Sequence, residues 1–197
     1  ANLGNRCAFI GRRKNDTQGK LFSESMNSSN ILLPNSEVEF GKASSTCLVM
    51  ITPNGERTML TYLGASTNLT EDDVDLALIE NSKIVYLEGY LFDLPEAKKL
   101  FFNLADKQEE LGFEFALSLS DPFCVTRHKE DFLKLLDKKV KIVFSNQEEI
   151  ETLFSCGVEK ALINSSDKIL INISTLGEKG AMVYSNGNLI KKDSFSV

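Results

Sequence analysis

The 197-residue chain has no apolar stretch long enough to span a bilayer, so no membrane-spanning helix is expected. Its start has no charged-then-apolar leader pattern, and the expected location is cytoplasmic. Clustered basic residues are also missing. There are 22 Lys and Arg against 28 Asp and Glu, a formal net charge of −6. Nucleic-acid backbones and anionic membranes need grouped cations, so neither is expected as a partner. The densest basic run, Lys138-Lys139-Val140-Lys141, reads as a solvated helix end. The sole histidine, His128, sits among charged residues with no adjacent Cys or His to share a metal and reads as a surface residue. The four cysteines, Cys7, Cys47, Cys124 and Cys156, are far apart and form no CxxC; reduced, partly buried thiols are expected. No Gly-x-Gly-x-x-Gly follows an early strand, which weighs against a dinucleotide-dependent dehydrogenase. There is no internal repeat, low-complexity tract or obvious linker, and the length suits one domain with a sizeable core.

What is present alternates. Residues 7–10 read as a short strand, "GRRKNDTQG" as a polar loop and "KLFSESM" as a helix. "CLVMI" and "RTMLTYL" flank the turn-rich joint Thr52-Pro53-Asn54-Gly55-Glu56, a hairpin pattern. In "NLTEDDVDLALIEN", Thr70 fits an N-cap with acidic residues in the first helical turn. Four strand patterns follow, "KIVYLEG", "FEFALSLS", "KIVFS" and "KILINIS". Helical patterns separate them at 95–111, 129–136 and 147–154, with "ALIN" either a short helix or extended. Such alternation predicts an α/β fold, with βαβ units in a mostly parallel sheet and helices on both faces.

In such a sheet ligands bind beyond the carboxyl ends of the strands. That rule selects Glu88-Gly89, then Ser118, Ser120 and Asp121, then Ser145, Asn146 and Glu149, then Thr175 and Gly177, as groups on one rim. In "SNQEE", Ser145-x-x-Glu148 reads as a capping box, and Asn146 with Glu149 could do the same job one residue on. The joint Thr175-Leu-Gly-Glu-Lys-Gly180 carries two glycines. They would let backbone N–H groups approach a ligand, or serve a plain connection between adjacent strands.

Several stretches together resemble the PfkB family of carbohydrate and nucleoside kinases. They are "AFIGRRKNDTQGKLF", "GERTMLTYLGASTNLTEDDVD", "IVYLEGYLFDLPEAKKL", "FSNQEEIETLF" and "ISTLGEKGAMVY". The resemblance implies a ribokinase-like three-layer αβα sandwich with a small β-sheet lid, its strands within 38–63. It treats 1–197 as one partial domain, without the family's N-terminal strand region and C-terminal part. It implies an ATP-dependent kinase acting on a hydroxymethyl group of a sugar or nucleoside, on an adenosine-kinase-like or sugar-kinase pattern. The alternative is a non-catalytic nucleotide- or sugar-binding protein that kept the scaffold.

On this resemblance Asn146-x-x-Glu149 is similar to the family's Asn-x-x-Glu motif, with Glu149 toward Mg²⁺ and Asn146 toward the phosphates. Thr175, Gly177, Glu178 and Gly180 would form the ATP loop, and Glu88 would bind an acceptor hydroxyl. Asp16 and Gly19, similar to an Asp-x-x-Gly element, would fix the turn before the first helix. A homodimer through the lid is implied as possible. No catalytic base is assigned, because no Gly-x-Gly-Asp occurs in the sequence. The 197 residues by themselves are therefore expected to phosphorylate nothing, and to be poorly stable or self-associating.

Overall fold

The structure is a computed structural model and describes residues 1, 3–138 and 140–195. Lys139 of the basic run and the final Ser196-Val197 lie outside the described residues. The chain divides into two compact units, Ala1–Asp75 and Leu76–Val197.

In the first unit, β1 (Cys7–Ala8) is followed by α1 (Thr17–Ser28) and pairs in parallel with β2 (Ile31–Leu32). Asp16 is the N-cap of α1, its carboxylate accepting from the N–H groups of Gly19 and Ser44, each at 2.9 Å. Those bonds stabilise the ionised form, Ser44 foremost, and hold the Asp16 pKa down at about 2. Gly19 has no alternative at its position, since a Cβ there would lie 2.0 Å from the Lys14 carbonyl. The expected hairpin is present as β3 (Thr46–Ile51) and β4 (Arg57–Tyr62), antiparallel from Thr46↔Tyr62 to Ile51↔Arg57. Every residue of both strands is exposed.

The helix expected after Thr70 is not continuous. Thr70 opens a short 3₁₀ turn, Glu71–Asp73, and the Asp73 carboxylate closes back on the Thr70 N–H at 2.8 Å while pairing with Arg12 at 2.9 Å. Val74 is then extended, and the α-helix α2 is confined to Leu76–Glu80.

The second unit runs β5 (Ile84–Glu88), α3 (Pro95–Leu111), β6 (Glu114–Ser118), α4 (Pro122–Leu136), β7 (Ile142–Asn146), α5 (Gln147–Phe154), α6 (Val158–Asn164), β8 (Ile171–Thr175), β9 (Ala181–Ser185) and β10 (Asn188–Lys192). The sheet order is β10-β9-β8-β7-β6-β5. β5 to β8 are parallel, and β8, β9 and β10 form an antiparallel meander. α4 is broken at the non-helical His128 (φ −121°, ψ 22°), so the helix read at 129–136 is its second segment, and a first segment from Pro122 precedes it. Asp121 caps it through the Cys124 N–H at 2.8 Å, and Pro122 occupies the first turn, where its missing donor costs nothing.

Register decides what the sheet buries. Leu87, Leu117, Val143 and Asn172 form one cross-strand row, and all four are buried. The helices supply the facing residues at three- and four-residue spacing, such as Leu100, Phe101, Leu104 and Ala105 of α3. Phe92 stacks on Phe132 of α4 with centroids 4.4 Å apart. The neighbouring row, Tyr86, Ala116, Ile142 and Ile171, looks the other way. On that face Ile84, Tyr86, Phe144 and Ile190 are exposed. Within the second unit its own helices therefore cover the face that carries Leu87, Leu117 and Val143.

Candidate functional site

Because β5 to β8 are parallel, their carboxyl ends share one edge of the sheet. Register pairs Asn146 with Thr175 and Glu88 with Ser118. The four groups selected from the sequence therefore lie along one rim. With strands about 4.8 Å apart, Glu88 on β5 stands about 10 Å from the β7 end.

At the β7 end the capping alternatives resolve in favour of Asn146 and Glu149. Asn146 Oδ1 accepts from the Glu149 N–H at 2.8 Å, and the Glu149 carboxylate accepts from the Asn146 N–H at 2.8 Å and from Nδ2 at 2.6 Å. Ser145 points inward instead, donating to the Ile173 carbonyl at 3.1 Å. Glu149 is 5% exposed. Burial pushes its pKa up, the nearby Asp121 and Glu148 charges add to that, and the bonds from Asn146 oppose it. Each carboxylate oxygen accepts one hydrogen bond and has a further lone pair. An unneutralised buried carboxylate of this kind fits a hard dication held largely through water, without dismantling the cap.

At the β8 end, Thr175 is exposed and its hydroxyl reaches the Ser145 carbonyl at 3.5 Å. The loop beyond it closes on itself. Leu176 N–H donates to the Gly180 carbonyl at 2.8 Å, Lys179 N–H to Leu176 at 3.2 Å and Gly180 N–H to Gly177 at 3.0 Å. The two glycines differ in kind. Gly180 (φ 89°) is packed so tightly against β10 that a Cβ would sit 1.9 Å from the Lys192 carbonyl. That close packing gives Gly180 an intramolecular role. Gly177 (φ 59°) faces open space. Glu178 is exposed in the 3₁₀ turn Gly177–Lys179.

At the β5 end, Glu88 is exposed and accepts from the Ser120 hydroxyl at 3.2 Å. One rim residue carried no signal of its own in the sequence. Tyr90 follows Glu88 in the 3₁₀ turn Gly89–Asp93, and its pKa is raised by burial and then by the charges of Asp121, Glu149 and Glu88. Asp121 was visible as a strand-end polar residue, and the Asp-Pro pair was the available sign that it caps a helix. Gly89 is compulsory, because a Cβ would meet the Ser118 carbonyl at 2.6 Å.

His128 is not the isolated surface residue its sequence neighbours suggest. Cys124, one helical turn earlier, and Asp93 bring ligand-type atoms within 4.8 Å of it and of one another. The set does not suit a metal. Arg127 forms two hydrogen bonds to Asp93, and the Lys98 ammonium lies 3.1 Å from His128 Nδ1. Burial holds the Cys124 thiol at about 11. Lysine only donates, so Nδ1 accepts and Nε2–H donates to Asp93 at 2.7 Å. The group ties the Gly89–Asp93 turn to α4.

The sequence model described as pfkB family carbohydrate kinase matches residues 1–196. The chain belongs to this family. Its fold is the ribokinase-like α/β fold of solved relatives. An adenosine kinase from Sinorhizobium meliloti superposes with a TM-score of 0.92 at 30% identity, covering 99% of this chain and 60% of that one. A probable sugar kinase from Rhizobium etli gives 0.92 and 30%, covering 100% of this chain and 60% of that one. A probable fructokinase-4 of Arabidopsis thaliana is 22% identical over 210 residues, covering 100% of this chain and 63% of its own length. The PfkB chain described here thus spans about three fifths of these relatives. Among its described residues no helix is long and apolar enough to cross a membrane.

Proposed function

We propose that the rim of β5 to β8 is part of the active site of an ATP-dependent kinase that phosphorylates a hydroxymethyl group of a sugar or nucleoside. The observation that carries this reading is the pairing of Asn146 with Thr175 across two parallel strand ends, with the buried Glu149 carboxylate closed on Asn146. Family membership supports it, as do relatives described as an adenosine kinase and a probable fructokinase. In this reading Asn146 and Glu149 orient the water shell of Mg²⁺ beside the phosphates. Thr175 and the open side of Gly177 receive the phosphates, and Glu178 continues toward the ribose. Gly180 keeps the loop seated. Glu88 binds a hydroxyl of the acceptor and fixes its direction. When bound, Mg²⁺ would supply neutralisation of the phosphate charge. No residue among the 197 is assigned as the base.

The test is calorimetric titration of the full-length protein with ATP, with and without Mg²⁺, followed by an ATP-consumption assay against adenosine and D-fructose. Magnesium-dependent ATP binding with acceptor-dependent ATP consumption is the expected result. ATP binding without turnover on any sugar or nucleoside would favour a binding protein on the same scaffold. No ATP binding would refute the site.

A further inference from the structure

Among the described residues, four other than glycine have a positive φ: Asn30, Ser120, Ser155 and Asn186. Three have ordinary local reasons. Asn30 follows the C-cap of α1, Ser155 is the left-handed C-cap of α5, and Asn186 precedes Gly187 in the turn between β9 and β10. Ser120 ends no helix and joins no hairpin. It sits at φ 74° between the carboxyl end of β6 and the first turn of α4, and the Asp121 N–H donates across it to the Leu119 carbonyl at 3.0 Å. A two-residue hydrogen-bonded closure with positive φ at its centre is the rare, strained form of the γ-turn. Glycine would relieve that strain.

What the strained residue does is visible in its side chain. Ser120 Oγ donates to Glu88 Oε2 at 3.2 Å and accepts from the Tyr90 N–H at 3.2 Å. One hydroxyl just beyond β6 thus grips the residues on both sides of Gly89 at the end of β5. The Glu88 carboxylate also receives the Tyr86 hydroxyl, two residues back on β5, and its remaining lone pairs are open to another donor. Glycine at position 120 would fit the backbone and lose both contacts, so the serine serves the side chain at the expense of the turn.

We propose that Ser120 is a positioning residue for the acceptor: together with Tyr86 it fixes the Glu88 carboxylate, and it holds the Tyr90 backbone, so that Glu88 presents a free lone pair to an acceptor hydroxyl. This rests on the assignment of Glu88 to the acceptor side given above. Ser120 itself touches no substrate. Its effect passes through Glu88, which separates it from a residue needed only for folding.

The experiment compares wild type, Ser120→Gly, Glu88→Ala and the double variant in the full-length protein. Three quantities are read: affinity for adenosine and for D-fructose, affinity for ATP with Mg²⁺, and melting temperature. Ser120→Gly should weaken binding of whichever acceptor probe binds the wild type by about 5- to 10-fold, the equivalent of one ordinary net hydrogen bond. It should leave ATP affinity within twofold and should not lower the melting temperature. In the Glu88→Ala background, adding Ser120→Gly should change acceptor affinity by less than twofold. Unchanged acceptor affinity in Ser120→Gly overturns the inference, and so do losses that multiply in the double variant. A parallel loss of ATP affinity or of melting temperature also overturns it, by making the role structural. If the wild type binds neither probe, the acceptor reading itself fails and this inference falls with it. Binding by wild type with an indifferent Ser120→Gly sinks the inference alone.

Discussion

Glu149 and Asp16 are both capping carboxylates, yet their environments push them in opposite directions. Asp16 receives N–H donors from Ser44 and Gly19 and ionises more readily than usual. A lowered folded pKa gives stability that is present above the ordinary 3.8 and is lost as pH falls through about 2. Asp16→Ala should therefore be less stable than wild type at neutral pH, and the difference in urea midpoint should shrink between about pH 4 and pH 2. Glu149 is buried first and hydrogen-bonded second, so its folded pKa lies above the ordinary 4.5. A raised carboxyl pKa gives a contribution that is present at low pH and is lost as pH rises through it. Glu149→Gln keeps one acceptor for the Asn146 N–H and removes the charge that burial penalises. It should hold stability within about 1 kcal/mol of wild type at pH 7, and gain on wild type as pH rises from 4. Magnesium-dependent ATP binding should fall at least about tenfold, the equivalent of one charge-assisted contact. A binding loss no larger than the stability loss would remove the metal role.

At the level of elements, legibility in the sequence followed how local the deciding interaction was. The bounds of α5 at Gln147 and Phe154 were readable because the cap and the apolar spacing lie within the segment. The hairpin β3–β4 was readable from its turn residues. The helix after Thr70 was misread because its cap was visible locally but the extended Val74 that breaks it was not, nor was the pairing of Asp73 with Arg12, sixty-one residues away. The first segment of α4, before the break at His128, was signalled by Asp121-Pro122, yet its capping bond is what settles it. Of the site, the strand-end residues were readable from the parallel-sheet rule. The link from Ser120 to Glu88 and Tyr90 was not, since it exists only where β5 and β6 meet. The loop after β8 supplies a direct comparison. Gly180→Ala must displace the Lys192 carbonyl and should cost about 3 kcal/mol or more. Gly177→Ala meets only the penalty of a left-handed alanine, about 1 kcal/mol. If Gly177 serves the phosphates, its variant should lose ATP affinity despite the smaller change in melting temperature. Equal thermal losses would mean that the loop is not built as described.

For the whole molecule, the sheet order in the second unit runs in sequence from β5 to β10, but the chain reaches its two halves at very different separations. The β8–β9 and β9–β10 pairs close through turns of a few residues. Each parallel pair joins positions about thirty residues apart, with at least one helix between them. Closing a long segment takes more entropy before any contact compensates for it. The order of assembly in time should therefore run against the order of synthesis. In refolding followed by pulsed deuterium labelling, amides in 171–192 should gain protection first, on the microsecond scale of hairpins, and those of 84–88 last. A nascent chain would thus hold its four parallel strand ends unmatched until the C-terminal meander had left the ribosome and offered β7 an edge. Simultaneous protection across all six strands would mean that the parallel segments nucleate by themselves.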